Sequence, residues 1–223
     1  QIIRHEAVHE IDGWDDLRRR LQPDRRLFAF FHPQLPDEPL IFVEVALLPE
    51  MAGAIAPLID KRALALAPEQ FKVAVFYSIS NCQPGLRGVS LGNFLIKRVA
   101  EQLKRELPQV KTFCTLSPIP GFMAWLTKAR PESLPAKAQR AHDDLQAACG
   151  DDFSALTQAA RLVALPGSAH HALWRLAAHY LVDVSPLVHG DPVARFHLDN
   201  GARLERLNAQ ANLSPKGLKQ SAG

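Results

Sequence analysis

A buried strand, a glycine-bearing loop, a long amphipathic helix and a second strand follow one another in the middle of this 223-residue chain. Residues 73–80 read VAVFYSIS and are apolar on both faces until their end, which is typical of a central strand. Leucine and valine then recur at every fourth residue from Leu91 to Leu107, which predicts a helix that Pro108 ends. Residues 110–116 (VKTFCTL) are a second candidate strand. Because βαβ units are almost always right-handed with parallel strands, we expect an α/β fold.

The segments before this unit predict a helix and a hairpin. Residues 14–21 have a short helical pattern. Residues 27–32 and 40–48 are two apolar, aromatic and β-branched runs with prolines between them, and they predict an antiparallel hairpin with a long loop. The alanine-rich residues 49–66 predict a helix interrupted at Pro57.

The last third of the chain is predicted to be largely helical. Three polar, alanine-rich helices are expected at about residues 136–149, 151–165 and 168–183. Residues 191–201 (DPVARFHLDNG) form a short apolar segment that ends in a turn signal. From Leu207 onward the sequence has no clear periodicity, so no element is predicted there.

Composition excludes several classes of protein and partner. Hydrophobic residues make up 47 % of the chain and charged residues 22 %, which is ordinary for a globular protein and excludes a disordered or collagenous chain. The formal net charge of +3 is too small to indicate a nucleic acid or membrane-surface partner. The most apolar stretch, near residues 40–48, is about half a membrane span. Cys82, Cys114 and Cys149 form no CxxC pair, which indicates thiols in a reducing compartment.

The loop between the first strand and the helix has features of a diphosphate site. Gly85, Gly88 and Gly92 allow a ligand to approach the backbone closely, and Arg87 adds a positive charge. The first turn of the helix adds unpaired N–H groups and the positive end of the helix dipole. Neither the GK[ST] element of a P-loop nor a GxGxxG pattern is present, so an ordinary tight turn into a helix stays an alternative.

Two further residues and one motif invite a functional interpretation. Ser117 follows the second strand, where it either caps the helix predicted at 122–128 or points its hydroxyl at a ligand. His197 is either a half-buried residue between apolar neighbours or a functional imidazole. Residues 5–9 (HEAVH) match the HExxH zinc pattern, but no third ligand follows in a suitable helix, so no metal is expected.

Four long stretches together resemble the catalytic domain of the malonyl-CoA decarboxylase family. They are HEAVHEIDGWDDLRRRL, FYSISNCQPGLRGVSLGNFLIKRVAEQL, TLSPIPGFMAWL and DPVARFHLDNGARLERLN, in the order that the family has. The resemblance implies a GNAT acyltransferase-like mixed sheet flanked by helices, with helical insertions. It implies one catalytic domain over residues 1–223 with a helical insertion at about 131–185, and without the family's N-terminal helical domain and C-terminal end.

The same resemblance implies the reaction and its residues. The family converts malonyl-CoA to acetyl-CoA and CO2, with an active-site serine and histidine that match Ser117 and His197, which also bind the malonyl group. The residues that match the CoA diphosphate site are Arg87, Gly88, Val89, Ser90, Leu91, Gly92 and Asn93. No metal and no cofactor beyond the CoA of the substrate is implied.

The resemblance also implies a homo-oligomer in the full-length protein. We expect a cytoplasmic location in a bacterium, or a mitochondrial or peroxisomal one in a eukaryote. After Gln83 the glycines depart from the Q/R-x-x-G-x-G/A pattern of GNAT acetyltransferases, because Gly85 and Gly88 follow instead. Two alternatives stay open, which are an acyl-CoA-dependent N-acyltransferase and a non-enzymatic module that binds malonyl-CoA.

Overall fold

A computed structural model describes residues 1–86, 89, 91–150, 152–186 and 190–223 of the chain. It divides into two units, Gln1–Leu116 and Ser117–Gly223, which are described in turn. Within the described residues, no helix combines the length and the apolar character that crossing a bilayer requires. No disulfide joins the three cysteines, all of which lie in the described part of the chain.

The first unit is built on a mixed sheet whose strands, among the described residues, have the order β1-β2-β3-β4. These strands are β1 (Arg25–His32), β2 (Leu35–Leu48), β3 (Val73–Asn81) and β4 (Thr112–Thr115). Strand β2 runs antiparallel to both β1 and β3, and β3 pairs in parallel with β4. The predicted hairpin and the predicted βαβ unit are therefore both confirmed, and the carboxyl ends of β3 and β4 point to the same edge. The long loop predicted in the hairpin is wrong, because β2 begins at Leu35 and residues 33 and 34 alone connect the two strands.

Four helices accompany the sheet within the described residues of this unit. They are α1 (Ile2–His5), α2 (Trp14–Arg19), α3 (Ala56–Ile59) and α4 (Leu91–Glu106), with 3-10 turns at Pro68–Gln70 and Pro84–Leu86. The long helix expected over residues 49–66 is wrong, because α3 spans a single turn there and the flanking residues are irregular. Alanine content favours a helix only weakly, and Pro49, Gly53 and Pro57 interrupt the segment.

Both faces of the sheet are covered by apolar side chains. On one face, alternate residues of β2 pack against the leucine and valine stripe of α4, including Leu95, Val99 and Leu103. On the other face, Val75 and Tyr77 of β3 pack with residues around α3. The apolar stripe of α4 therefore packs on the sheet, as its amphipathic pattern predicted.

The second unit is helical in its described residues. Its helices are α5 (Phe122–Leu126), α6 (Ala136–Cys149), α7 (Ala159–Val163), α8 (Gly167–His179), α9 (Pro192–Asp199) and α10 (Pro215–Ser221). Short 3-10 segments lie at Pro131–Ser133 and Ser154–Thr157, and a π-helical turn at Tyr180–Val184 continues α8. A separate apolar core fills this unit, with Phe122 of α5, Leu145 of α6 and Leu176 of α8 among its buried members.

Candidate active site

Ser117 opens a turn rather than a helix. The turn runs through Ser117-Pro118-Ile119-Pro120-Gly121, and α5 begins directly after it with Gly121 as the N-cap residue. Ser117 therefore does not cap α5, and the alternative in which this serine is the N-cap residue is wrong. The two prolines fix φ at about −65° in the turn, so the serine side chain projects from a stiff backbone.

His197 lies on α9, a helix that the sequence pattern did not predict. Asp191 caps the helix N-terminus, because its side chain accepts hydrogen bonds from the N–H groups of Val193 and Ala194. Pro192 occupies the first helical position, where a missing N–H costs nothing. The helix carries the imidazole to a half-buried position, where the ring of Phe196 lies edge-on, 5.0 Å away between centroids.

The structure brings Ser117 and His197 into direct contact. The Ser117 Oγ and the His197 Nε2 are 3.0 Å apart, although the two residues are separated by 80 positions in the sequence. This distance is a normal hydrogen bond between a hydroxyl and an imidazole. The two side chains that the resemblance implied as catalytic thus form one constellation.

Burial determines the charge of the imidazole. Because burial disfavours the charged ring, the pKa of His197 is lowered from its ordinary 6.5, and the ring is neutral at pH 7. When the single ring hydrogen of neutral His197 is on Nε2, the ring donates to the Ser117 Oγ. The serine then keeps its own hydrogen for another acceptor. This arrangement prepares Ser117 as a hydrogen-bond donor.

The turn that carries Ser117 is anchored by hydrogen bonds at Ile119 and Gly121. The N–H of Gly121 donates to the Asp191 Oδ2 at 2.9 Å. The Ser221 Oγ of α10 accepts from the N–H of Ile119 and donates to its carbonyl, both at 3.2 Å. Sequence reasoning missed Asp191 and Ser221. For Asp191 a signal was present, since an aspartate directly before a proline is a helix-start signature.

Gly121 is required at its position by a close neighbour. A Cβ built on this residue would overlap the Tyr180 hydroxyl and would lie 3.3 Å from the Asp191 Oδ2. Tyr180 is buried against the rings of Phe122 and Trp125. Burial, together with the neighbouring charge of Asp191, raises the pKa of Tyr180 to about 12. The turn therefore approaches a packed aromatic group that cannot move aside freely.

The residues expected to bind the CoA diphosphate lie in the first unit. Of these, Arg87, Gly88 and Ser90 lie outside the described residues. Val89 is exposed, and Leu91, Gly92 and Asn93 form the first turn of α4. The N–H of Leu91 donates to the Val89 carbonyl at 2.8 Å, and the first turn of a helix has further N–H groups that intrahelical bonds do not use, which suits an anion. Diphosphate binding at these residues stays a prediction.

The HExxH match does not form a zinc site. Helix α1 ends at His5, so His5 and His9 do not share a helical turn. The carboxylate of Glu6 is buried and accepts hydrogen bonds from the Ser78 hydroxyl at 2.7 Å and from the backbone N–H groups of Val8 and His9. Among the described residues, no three His, Cys, Asp or Glu side chains are grouped closely enough to hold a metal ion.

Solved structures of similar proteins share this fold. The crystal structure of malonyl-CoA decarboxylase from Rhodopseudomonas palustris is 49 % identical with a TM-score of 0.79, over 99 % of this chain and 53 % of that one. The corresponding structure from Agrobacterium vitis is 48 % identical with a TM-score of 0.81, over 100 % of this chain and 54 % of that one. The expected mixed sheet flanked by helices is therefore confirmed.

Curated relatives and a family model agree with these structures. The mitochondrial malonyl-CoA decarboxylases of Anser anser anser and Mus musculus are 38 % and 36 % identical to this chain over its whole length. The chain spans about half the length of these relatives, 47 % and 49 % respectively. The family model for the malonyl-CoA decarboxylase C-terminal domain matches residues 1–223. The chain belongs to the malonyl-CoA decarboxylase family.

Proposed function

We propose that this chain carries the catalytic site for decarboxylation of malonyl-CoA to acetyl-CoA and CO2, with Ser117 and His197 as its catalytic residues. The observation that supports the proposal most is the 3.0 Å contact between these two side chains. A serine in a stiff turn and a histidine on a separately capped helix meet here, and both match the family's active-site residues by motif. An accidental contact would not explain why both side chains match the family's active-site residues.

Ser117 stabilises the charge that decarboxylation creates. When the C–C bond to the carboxylate breaks, its electron pair stays with the thioester as an enolate, and negative charge develops on the thioester oxygen. The Ser117 hydroxyl donates a hydrogen bond to this oxygen while its own oxygen accepts from His197. Loss of one donor of this kind typically lowers the rate by about 10²–10³-fold. Because the thioester accepts the electron pair itself, the proposed reaction needs no cofactor.

His197 delivers the proton that completes the reaction. CO2 leaves without a proton, so each turnover takes up one proton, which forms the new C–H bond at the former malonyl carbon. As the enolate forms, the neutral ring takes up a proton from solvent, and the resulting imidazolium gives the proton on Nε2, which is on the side of Ser117, to the enolate carbon and returns to the neutral form. General acid catalysis of this kind contributes about 10²–10⁴-fold. A neutral ring suits the C–C cleavage that precedes this proton transfer, because an imidazolium would stabilise the substrate carboxylate in its ground state.

The start of α4 is the proposed binding site for the CoA diphosphate. Leu91, Gly92 and Asn93 supply its first turn, and the positive end of the helix dipole favours an anion there. Val89 and the residues Arg87, Gly88 and Ser90, which lie outside the described part of the chain, complete the proposed site.

The wider organisation of the protein belongs to the same proposal. We infer one catalytic domain over residues 1–223, with a helical insertion at about 131–185, that acts in a homo-oligomer on malonyl-CoA and acetyl-CoA. A cytoplasmic location in a bacterium is proposed, or a mitochondrial or peroxisomal one in a eukaryote. The curated relatives from Anser anser anser and Mus musculus carry the word mitochondrial in their names.

A single incubation tests the reaction. The full-length protein is mixed with malonyl-CoA, with and without an amine acceptor, and acetyl-CoA and CO2 are followed together. We expect both products in equal amounts and no need for the amine. Acyl transfer to the amine without CO2 would indicate an acyltransferase, and unchanged malonyl-CoA would indicate a binding module. Turnover is expected to survive exhaustive chelation.

Substitutions test the two residues. Ser117→Ala is expected to lower kcat by about 10²–10³-fold, and His197→Ala by about 10²–10⁴-fold. Ser133→Ala and His171→Ala, which change exposed residues of the same unit, are the matched controls and are expected to have full activity. Near-normal kcat in both Ser117→Ala and His197→Ala would refute the proposal.

A further inference from the structure

We propose that Asp191 is a positioning residue that holds the Ser117 turn and the His197 helix in register. This inference rests on the proposed function, because it explains how the Ser117–His197 contact is maintained. Asp191 contacts neither the Ser117 hydroxyl nor the His197 ring. Its side chain instead binds the backbone of the two elements that carry them. Each of its two carboxylate oxygens is bound to a different one of the two elements.

One oxygen of Asp191 fixes the start of α9. The Oδ1 accepts hydrogen bonds from the N–H groups of Val193 and Ala194, both at 3.0 Å. These are N–H groups that the helix itself leaves without a partner, so the contact fixes where α9 begins. His197 follows on the second turn of this short helix, and the position of the imidazole depends on that starting point.

The other oxygen fixes the turn that carries the serine. The Oδ2 accepts from the N–H of Gly121 at 2.9 Å, four residues after Ser117. With Pro118 and Pro120 restricting the backbone between them, a shift of Gly121 is transmitted to the serine rather than absorbed. One rigid carboxylate thus connects two elements whose reacting residues are 80 positions apart in sequence.

The surroundings of Asp191 support a fixed position. The residue is 0 % exposed, so water does not compete for its oxygens. Its N–H donates to the Ser185 hydroxyl at 3.4 Å. A Cβ at Gly190 would overlap the backbone of Ser185, so the chain enters Asp191 in close contact with the preceding turn. The backbone of Asp191 is therefore fixed against Ser185, and its carboxylate is closed off from solvent.

The substitution Asp191→Asn separates capping from bridging. An asparagine has a single side-chain acceptor oxygen, and its amide nitrogen only donates. The oxygen serves either α9 or the N–H of Gly121, and the amide then faces a donor on the other side. Asparagine is also a good N-cap residue, so α9 itself is retained. Asp191→Ser is a second test, since serine caps a helix but is too short to reach Gly121.

We expect both variants to fold and to lose kcat while KM for malonyl-CoA changes little. A displacement of about 1 Å between catalytic groups lowers the rate on the order of 10²-fold. The nitrogen chemical shifts of the His197 ring, measured by NMR, are expected to report a weakened contact with Ser117. Asp144→Asn, which removes the same charge from an exposed position on α6, is the matched control and is expected to leave kcat and ring shifts unchanged.

The outcomes separate this inference from the proposed function. If Ser117→Ala abolishes turnover while a folded Asp191→Asn or Asp191→Ser keeps kcat within about twofold of the parent, the positioning role is refuted and the function stands. If the parent protein does not decarboxylate malonyl-CoA, the function fails, and unchanged His197 ring shifts in the variants would refute the positioning role separately. If neither variant folds, Asp191 is a stability residue and the inference is wrong.

Discussion

Replacement of Gly121 by alanine tests whether the serine turn is as closely packed as the structure indicates. The added Cβ would overlap the Tyr180 hydroxyl and would lie 3.4 Å from the Cζ of the same ring. Tyr180 is 3 % exposed, and its ring lies 5.8 Å and 5.3 Å from those of Phe122 and Trp125. The tyrosine therefore has no open space into which it could swing.

The expected loss of stability follows from this overlap. Adding a methyl group to a well-packed site typically costs about 1–3 kcal/mol. Gly121 has a negative φ, so no left-handed backbone strain adds to this value. The added group also displaces the N–H of Gly121 from Asp191, so we expect kcat to fall together with stability.

Denaturant unfolding of Gly121→Ala, alone and combined with Tyr180→Phe, measures the effect. Phenylalanine removes the oxygen that the new Cβ would overlap, so the double variant is expected to regain most of the loss beyond the cost of Tyr180→Phe itself. A coupling of about 1 kcal/mol or more between the two changes is expected for groups in direct contact. Gly167→Ala, where nothing lies within 4 Å of the added Cβ, is the matched control.

Two results would contradict the reasoning. One is a Gly121→Ala variant with the free energy of unfolding and the kcat of the parent protein. The other is strictly additive behaviour of Gly121→Ala and Tyr180→Phe, which would show that the alanine acts somewhere other than on the Tyr180 hydroxyl.

Three further predictions concern titration and buried charge. Arg20→Met removes a fully buried guanidinium that contacts Asp16 at 2.8 Å and Glu44 at 3.0 Å, and urea unfolding is expected to show a loss of about 3–5 kcal/mol because two buried carboxylates lose their partner. Burial raises the pKa of Glu44 from 4.5 to about 7, so the stability that Glu44 contributes is full below pH 4.5 and is lost as the pH rises through 7. The difference in unfolding free energy between the parent protein and Glu44→Gln should therefore fall by about 3 kcal/mol over that window. A difference that does not change with pH would contradict the shift. Burial lowers the pKa of His197, and the proposed mechanism uses the neutral ring for C–C cleavage. We therefore expect kcat/KM to rise with pH through a transition below 6.5 that His197→Gln abolishes, and a transition above 6.5 would contradict this.

The sheet unit was largely predictable because its pattern of side chains is strong. The stripe of α4 and the apolar runs of β2 and β3 are long, and each is periodic or continuous in the way its burial requires. The helix predicted over residues 49–66 is wrong for a different reason. Their alanines favour a helix by composition, but the segment packs as irregular chain around a single turn at Ala56–Ile59.

The helical unit was harder to predict because its two missed helices are short. Both α9 and α10 begin with a capping side chain followed by proline, Asp191 in one case and Ser214 in the other. This signature marks a helix start, but α9 has eight residues and α10 seven, so each spans only about two turns over which an apolar pattern can repeat. The contact between Ser117 and His197 was not predictable from spacing, because it depends on how these short elements pack.

The supporting contacts explain why long motifs, and not two isolated residues, identify this site. In the stretch that contains Ser117, Gly121 admits the Tyr180 hydroxyl and donates to Asp191. In the stretch that contains His197, Asp191 both caps α9 and accepts from that turn. A serine and a histidine alone occur together in any chain of this size, and their chemistry requires a separation near 3 Å. In the proposed mechanism the surrounding residues set that separation, so we expect a variant that alters them to change the rate even though Ser117 and His197 are intact.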